Sequence, residues 1–459
     1  MKKKGVADIS GWLKYAPLVI WGGVYILTCV AGALMILWDY RPFVLLFEYF
    51  SGVNLDLPDD SSTLFVLYAL LLGAPLLAWA GYFVGLRLGE LCGTSDRRLD
   101  KPSFSHSWPW AMATFGVSMA MGIWSLLRGG AFDELMAWVQ FDNWIQARWQ
   151  LFSRLSFFEF VNLYIFLPLA AGWLFIEAQY GGRWKRVFAS MAVVAMLVVE
   201  TLLFQKKSVV VSLLLLGGGV MLWRMKSDRP LKSFKLAVGS GAVVLTVIYF
   251  SLVVLPVYRE AERQIGAEHQ LSMAEAERQA WLLGLLNEFG GFDSRREAVF
   301  FYALLAPMTR TSVPAIYYSF VFPHEHPFYG LDIGQDILGF GAMPDDNKVV
   351  WRRMNPDIED GSVAAPFHFV LYSQVGLPGA LVGSFLVGLA LGWGWFFVLG
   401  RIQTPIISAM AGSLIILLAI YLAIDSVRNS LIVSYGVIWG GLFLFWIWLA
   451  GRFGKWQSG

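Results

Sequence analysis

The sequence predicts an all-α polytopic membrane protein of about ten transmembrane helices, with one large outer loop between spans seven and eight. Three observations carry that prediction. Of the 459 residues, 57% are hydrophobic and only 15% are charged, against about 25% charged in an average soluble domain. Ten stretches approach the roughly 20 mostly apolar residues that a crossing helix needs. The lysines and arginines are shared unevenly between the connections. This composition excludes a disordered chain, a coiled coil and a basic nucleic-acid-binding protein, so no nucleic-acid partner is expected. Neither of the two cysteines, Cys29 and Cys92, sits in a CxxC pair, and two cannot build a disulfide framework.

The spans fall near 14–38, 63–88, 108–128, 157–178, 187–204, 209–224, 236–256, 366–399, 406–424 and 431–450. They divide the chain into an N-terminal membrane region of seven spans (1–256), a large loop (257–365) and a C-terminal membrane region of three spans (366–459). The first span is too long for the core of a cleavable signal and lacks a small-residue cleavage site, so it is expected to be retained. Ten spans leave both termini on one side, and Lys2, Lys3 and Lys4 assign that side to the cytoplasm. With this orientation 19 of the 35 cations lie at cytoplasmic ends and 7 in short outer loops. The expected location is a bacterial inner membrane, with the large loop periplasmic. The stretch 187–224 also reads as one broken span, which would reverse every later loop.

Two non-spanning regions stand out. Residues 129–156 mix Trp138, Trp144, Trp149 and Phe152 with Asp133, Glu134, Asp142, Arg148 and Arg154, which suits a helix lying in the outer interface. The large loop opens with a charged helical stretch, Tyr258 to Glu288, where Glu260/Arg263 and Glu275/Arg278 share a face. That stretch reads as a solvated helix. The apolar run Ala298–Ala306 then dips back toward the membrane, and a Gly/Pro/Asp-rich part runs from Pro323 to Pro366.

Familiar catalytic motifs are absent: no phosphate-binding Gly loop, no GxSxG, no HExxH. His324-Glu325-His326 has metal-ligand residue types but no clear third ligand, and no metal or other cofactor is expected. Asp59-Asp60 and Asp345-Asp346 read as solvated loop acids. Cations on the otherwise acidic outer face are more telling, because a charge at the membrane boundary needs a partner or a reason. Lys206 and Lys207 sit between two apolar runs and read as snorkelling anchors or as a site for a diphosphate headgroup. Arg310 follows the apolar dip. Arg428 lies three residues from Asp425, close enough for the two to pair with each other. Arg352-Arg353 stands near Asp357, Glu359 and Asp360, and local pairing is expected there.

These features together resemble the Wzy-type O-antigen or capsular repeat-unit polymerases. The likeness rests on a hairpin of spans with a cationic outer turn, on a large outer loop with the Pro307–Pro314 arginine stretch, and on Pro366-Phe367-His368-Phe369-Val370-Leu371-Tyr372 leading to Gly376-Leu377-Pro378-Gly379. It covers roughly 190–440. The family more often has arginine where this chain has Gln205-Lys206-Lys207, and an ammonium attracts phosphate only as a point charge. The related O-antigen ligases carry His-Asn where this chain has His368-Phe369, which weighs against ligase activity.

The resemblance implies metal-independent glycosyl transfer at the periplasmic face, between undecaprenyl-diphosphate-linked oligosaccharides, with membrane lipids around the protein and a chain-length regulator as a further partner. Lys206, Lys207, Arg310 and Arg428 are assigned to the diphosphates, where fixed cations stabilise the leaving group. Glu297, His368 and Asp425 are the candidate bases, unranked. Tyr317, Tyr318, Phe328 and Tyr329 would offer flat faces to sugar rings. A ligase and a polysaccharide-lipid transporter remain the alternatives.

Overall fold

The computed structural model describes residues 13–40, 60–92, 107–131, 150–203, 206–226, 295–330, 345–356, 361–402, 404–432 and 437–456, with 44, 48 and 284 as isolated positions. The described chain is helical, without a strand. Its helices are α1 (Ala16–Leu37), α2 (Ser61–Cys92), α3 (Trp108–Gly129), α4 (Phe157–Ala178), α5 (Arg183–Thr201), α6 (Lys206–Lys226), α7 (Arg295–Val321), α8 (Asp346–Met354), α9 (Phe367–Gly400), α10 (Pro405–Leu422), α11 (Val427–Leu431) and α12 (Val437–Trp456). Six of them, α1 to α4, α9 and α10, are long and apolar enough to cross a membrane. α6 and α12 have shorter apolar cores, Val209–Trp223 and Val437–Gly451. In α5 the ends carry Arg183, Lys185, Arg186 and Glu200 around an apolar middle. The expected span at 236–256, the charged stretch Tyr258–Glu288 and most of 129–156 lie outside the described residues.

Glycine sets the tightest packing. Gly81, Gly85 and Gly89 recur every fourth residue of α2, and Gly388 and Gly392 do so on α9. A Cβ on Gly81 would sit 2.0 Å from the Phe385 carbonyl oxygen, and one on Gly85 would sit 2.2 Å from that of Leu389. The reverse holds as well: a Cβ on Gly388 would sit 1.9 Å from the Ala78 carbonyl oxygen, and one on Gly392 would sit 2.1 Å from that of Tyr82. Small residues at this spacing let two backbones touch, which is how helices associate where lipid removes the hydrophobic incentive.

α9 is a hairpin rather than a rod. Gly376 has φ 69° and ψ −177°, a conformation only glycine adopts readily, and Pro378 follows. Across this break Val375 meets Gly379, and Leu371 meets Gly383. Further along, Phe367 shares a small cavity with Val387, Gly388 and Leu391. In one continuous helix Leu371 and Gly383 would be about 18 Å apart. A short arm, 367–375, therefore starts in mid-bundle, rises to the break and hands over to the long arm, 377–400. The span expected over 366–399 is thus a helix long and apolar enough to cross a membrane, divided at Gly376 into two arms. Both arms are apolar, so hydropathy does not register the turn between them.

The break frees the Ser373 and Gln374 carbonyls, since Pro378 has no N–H and Gly376 turns the chain away. Tyr329 N–H donates to Ser373 O at 3.1 Å and Gly330 N–H to Gln374 O at 2.8 Å, so the segment 327–330 caps the short arm. Phe328 lies over Gly376 and meets Tyr372 edge-on.

Two ends can be distinguished. At one, Lys14 pairs with Glu90 at 3.1 Å, Trp395 donates to Leu13 O, and Arg401 donates to Cys92 O. At the other lie the Asp60 cap of α2, His324 beside Thr63, and Asp425 after α10. Trp223 near the end of α6 donates to Tyr180, just before α5 begins, at 2.7 Å. α5 and α6 therefore form a hairpin, and 187–224 is not one broken span.

α7 lies inside what the sequence presents as a loop. It bends by 67° between Val299–Leu305 and Arg310–Val321, and residues 311–322 are all buried. Met308 O and Ser312 Oγ crowd Gly32 of α1, and the Thr311 hydroxyl donates to Thr28 O at 2.7 Å. The latter carbonyl lies in a π-turn, Ile26–Val30, whose wider register leaves backbone acceptors for other helices.

Candidate functional site

At the Asp425 end, five segments converge on one polar cavity of about 70 Å³. Tyr318 comes from α7, Asp346 and Asn347 from the start of α8, and Gln374 from the short arm of α9. Asp425, Arg428 and Asn429 come from the turn after α10, and Val363 and Ala365 close one wall. The short arm is placed there by the Gly376 break and held by the 327–330 cap.

Local sequence explains the turn. Ser426 caps α11 by accepting from Asn429 N–H at 3.1 Å. Asp425 Oδ1 accepts from Ser426 N–H at 2.7 Å and from Asn429 Nδ2 at 2.9 Å. This Asp-Ser-x-Arg-Asn order fixes a single turn from which Arg428 reaches the cavity. Its Nε is buried and has no hydrogen-bond partner, and leaving a buried charged donor unmet costs about 1–3 kcal/mol or more.

Across the cavity, Asp346 is 6% exposed. Its Oδ2 accepts from the Tyr318 hydroxyl at 3.1 Å. The Ser373 hydroxyl has two acceptors in reach, Asp346 Oδ2 at 2.9 Å and Val370 O at 2.7 Å. Beside the cavity, burial first and then the Asp346 and Asp345 carboxylates push the Tyr329 phenol up to about 12. Lys348 lies 3.6 Å from Asp345.

The residues singled out in the sequence scatter around this cavity. Asp425 and Arg428 line it, and they do not form the mutual pair that their spacing allows: Asp425 turns to Ser426 and Asn429 instead. Lys206 and Lys207 open α6. Trp223 fixes the opposite end of that helix 17 residues away, so they begin about 25 Å from it, toward the Asp425 end. Arg310 is exposed but does not line the cavity. Its neighbours set it beside α1 between Thr28 and Gly32, five to nine residues short of Leu37, or about 8–14 Å along the helix. It therefore stands on a helix within the bundle rather than on a surface loop.

Glu297 is exposed at the far end of α7 and is not in the cavity. His368 is wholly buried and does not line the cavity. Its Nε2 lies 3.1 Å from the Tyr25 hydroxyl, which also reaches Leu71 O at 3.1 Å. Its Nδ1 is buried without a partner. Tyr317 and Tyr318, of which the second lines the cavity, are 5% and 0% exposed, so neither stands on an open surface. Burial of the second half of α7 is the cause. Phe328 is exposed, and Tyr329 stacks on His326 with ring centres 4.8 Å apart.

His324-Glu325-His326 diverges. His324 meets the Thr63 hydroxyl at 3.2 Å, Glu325 pairs with Arg353 at 2.9 Å, and His326 Nδ1 lies 2.7 Å from Pro327 O. Arg353 thus pairs with Glu325, and its expected local acids Asp357, Glu359 and Asp360 lie outside the described residues. Among the described residues no cluster of His, Cys, Asp and Glu is arranged to hold a metal ion.

Sequence reasoning missed Asp346, Asn347, Gln374 and Asn429. Asp346 reads as a solvated acid because its burial depends on α7 and α9 packing against a nine-residue helix. A run of two acids just before a short amphipathic segment was its only signal. No family model, curated protein or solved structure matches this chain.

Proposed function

We propose that this chain is a membrane-embedded glycosyltransferase that polymerises undecaprenyl-diphosphate-linked oligosaccharide repeat units, at the periplasmic face of a bacterial inner membrane. The reading takes about ten spans, cytoplasmic termini and the Asp425 end as the outer end. The observation that carries it is the buried Arg428 Nε without a hydrogen-bond partner, in a cavity that also holds Asp425. A buried donor without a partner is a place for a ligand.

In this reading a hydroxyl of the acceptor sugar attacks the anomeric carbon of the donor, and the lipid diphosphate leaves. Of the three candidate bases only Asp425 lines the cavity, and it takes the hydroxyl proton. Its two short hydrogen bonds hold the carboxylate in place while it does so. Arg310, with Lys206 and Lys207, meets the departing diphosphate near the membrane boundary, and the exposed guanidinium is long enough to snorkel outward from its place beside α1. A chain-length regulator is the expected partner.

A second reading, a transporter for lipid-linked glycans, draws support from two broken helices, α7 and α9, since transporters build their sites at such breaks. Cells carrying Arg310→Ala at normal protein level separate the two. Under the polymerase reading, surface glycan collapses from long chains to a single repeat unit on the lipid A core. Loss of all glycan, the single-repeat form included, points to transport, and an unchanged ladder removes Arg310 from the reaction.

A further inference from the structure

We infer that α5 carries a binding site for an anionic phospholipid, whose phosphate is held by Arg183 and Arg186 and whose acyl chain lies along Val187, Met191 and Val194. The site goes beyond glycan transfer and depends only on the chain being embedded in a membrane. Three observations support it.

The first is the shape of the site. An open groove of about 560 Å³ runs along α5, and among the described residues its lining extends from Arg183 to Ala195. The lining positions recur three and four residues apart, so they form one stripe on one face of the helix. Ser190 apart, the lining beyond Arg186 is apolar. Met191 and Val194 are 67% and 61% exposed, and Val198 continues the exposed stripe. From Val187 to Val198 the helix rises about 16 Å. That is close to half of a hydrocarbon core about 30 Å thick, which suits one lipid in one leaflet better than a helix of a second copy running through both.

The second is how the cations at the start of α5 divide. Lys185 lies over the Trp108 ring, 5.1 Å from its centre, where the Glu177 carboxylate also attracts it. Arg183 and Arg186 turn to the groove instead, and both are exposed. Neither forms an ion pair among the described residues, and Arg186 makes one long hydrogen bond, 3.4 Å, to Gly181 O. Two free guanidiniums at the mouth of an apolar groove complement an amphiphile with an anionic head. A guanidinium meets a phosphate through its fork of N–H donors. A zwitterionic headgroup brings its own cation toward the two arginines and is disfavoured.

The third is depth. Trp184, between the two arginines in sequence, is 85% exposed, and a tryptophan so placed marks the headgroup region. Ser190 lies about 6 Å further along the helix than Arg186, where the ester carbonyls of a phospholipid follow its phosphate. Its hydroxyl has no hydrogen-bond partner among the described residues and can donate to one of them. In the orientation taken above, with the Asp425 end outermost, the phosphate belongs to the cytoplasmic leaflet, whose anionic lipids attract basic residues.

The test uses the full chain in lipid nanodiscs that contain a trace of phospholipid with a photoreactive group midway along one acyl chain. Two probes differ only in headgroup, phosphatidylglycerol and phosphatidylcholine, and digestion maps the labelled residues. The phosphatidylglycerol probe should label 187–198 about tenfold more than the phosphatidylcholine probe, the scale expected for two basic residues at an anionic lipid. Arg183→Gln and Arg186→Gln together should bring the two probes to equal labelling. Lys185→Gln removes a charge from the same turn and should leave the preference in place. Labelling at Val382 and Leu386, exposed on α9, serves as the reference for a folded, inserted chain. Equal labelling of the wild type by both probes means an unselective lipid belt and overturns the inference. So does a preference that survives loss of both arginines, one that Lys185→Gln abolishes as fully, or cross-linking of 187–198 to a second copy in place of lipid.

Discussion

Glycine does opposite work on the two arms of α9. On the long arm, Gly388 and Gly392 remove side chains so that the helix lies directly on the backbone of α2. At Gly376 the missing side chain instead permits a left-handed φ, and the chain turns back on itself. The first use makes a rigid post, and the second makes a corner that exposes two carbonyls for the 327–330 segment to cap. A site gains precision when its movable wall is hung on an immovable one. The long arm is the immovable part, and the short arm with Gln374 is the wall of the cavity.

The sharpest way to break that comparison is a large side chain at the post. Gly388→Leu would place atoms where the Ala78 carbonyl stands 1.9 Å from the position of a Cβ. It should cost about 3 kcal/mol or more, because neither backbone can yield without unseating the other. Thermal unfolding of the purified protein in detergent measures this, and an unchanged midpoint would dissolve the distinction between post and corner.

Gly376→Ala should cost less, about 1–3 kcal/mol for the backbone conformation, and its effect should stay local. Hydrogen exchange at Tyr329 and Gly330, the two N–H groups that cap the short arm, should accelerate while exchange along 377–400 stays slow. Equal acceleration along both arms would mean that corner and post are a single unit.

The smallest effect concerns the cap itself. The folded Tyr329 phenol titrates at about 12, above the ordinary value of 10.0. The folded state therefore holds this proton more tightly than the unfolded chain does. The stability that goes with it is intact below pH 10 and is lost as pH rises from 10 through 12. Tyr329→Phe should flatten the melting temperature across that window and change nothing at neutral pH. A variant that tracks the wild type from pH 10 to 12 would show that the phenol is not enclosed by the cap.

Much of the membrane architecture is legible in the sequence, because long apolar runs have few other fates. α1 to α4 and α10 fall close to their expected limits. α9 also lies where an apolar run predicts a helix, but its fold-back is legible only as Gly376-Leu377-Pro378-Gly379, since period and hydropathy are the same on both sides of the break. The glycines every fourth residue on α2 and α9 were an available signal for their contact. Of the site, Arg428 is legible as a cation in the short connection between two apolar runs, and Asp425 as the acid three residues before it. Asp346 is not, because an acid in a loop-rich region looks solvated until a helix from elsewhere covers it. His368 is the reverse case: it has the residue type of a base, and in the structure it is wholly buried among Tyr25, Phe367 and Phe369.

The central claim is that glycan transfer takes place at the Asp425-end cavity. Purified full-length chain supplied with lipid-linked repeat units tests it most directly, comparing wild type with Asp425→Asn, which keeps the size of the side chain. The account predicts a polymer ladder from the wild type and a rate at least about 100-fold lower from the variant, the usual scale for losing a general base. A variant that builds the same ladder at the wild-type rate would contradict it.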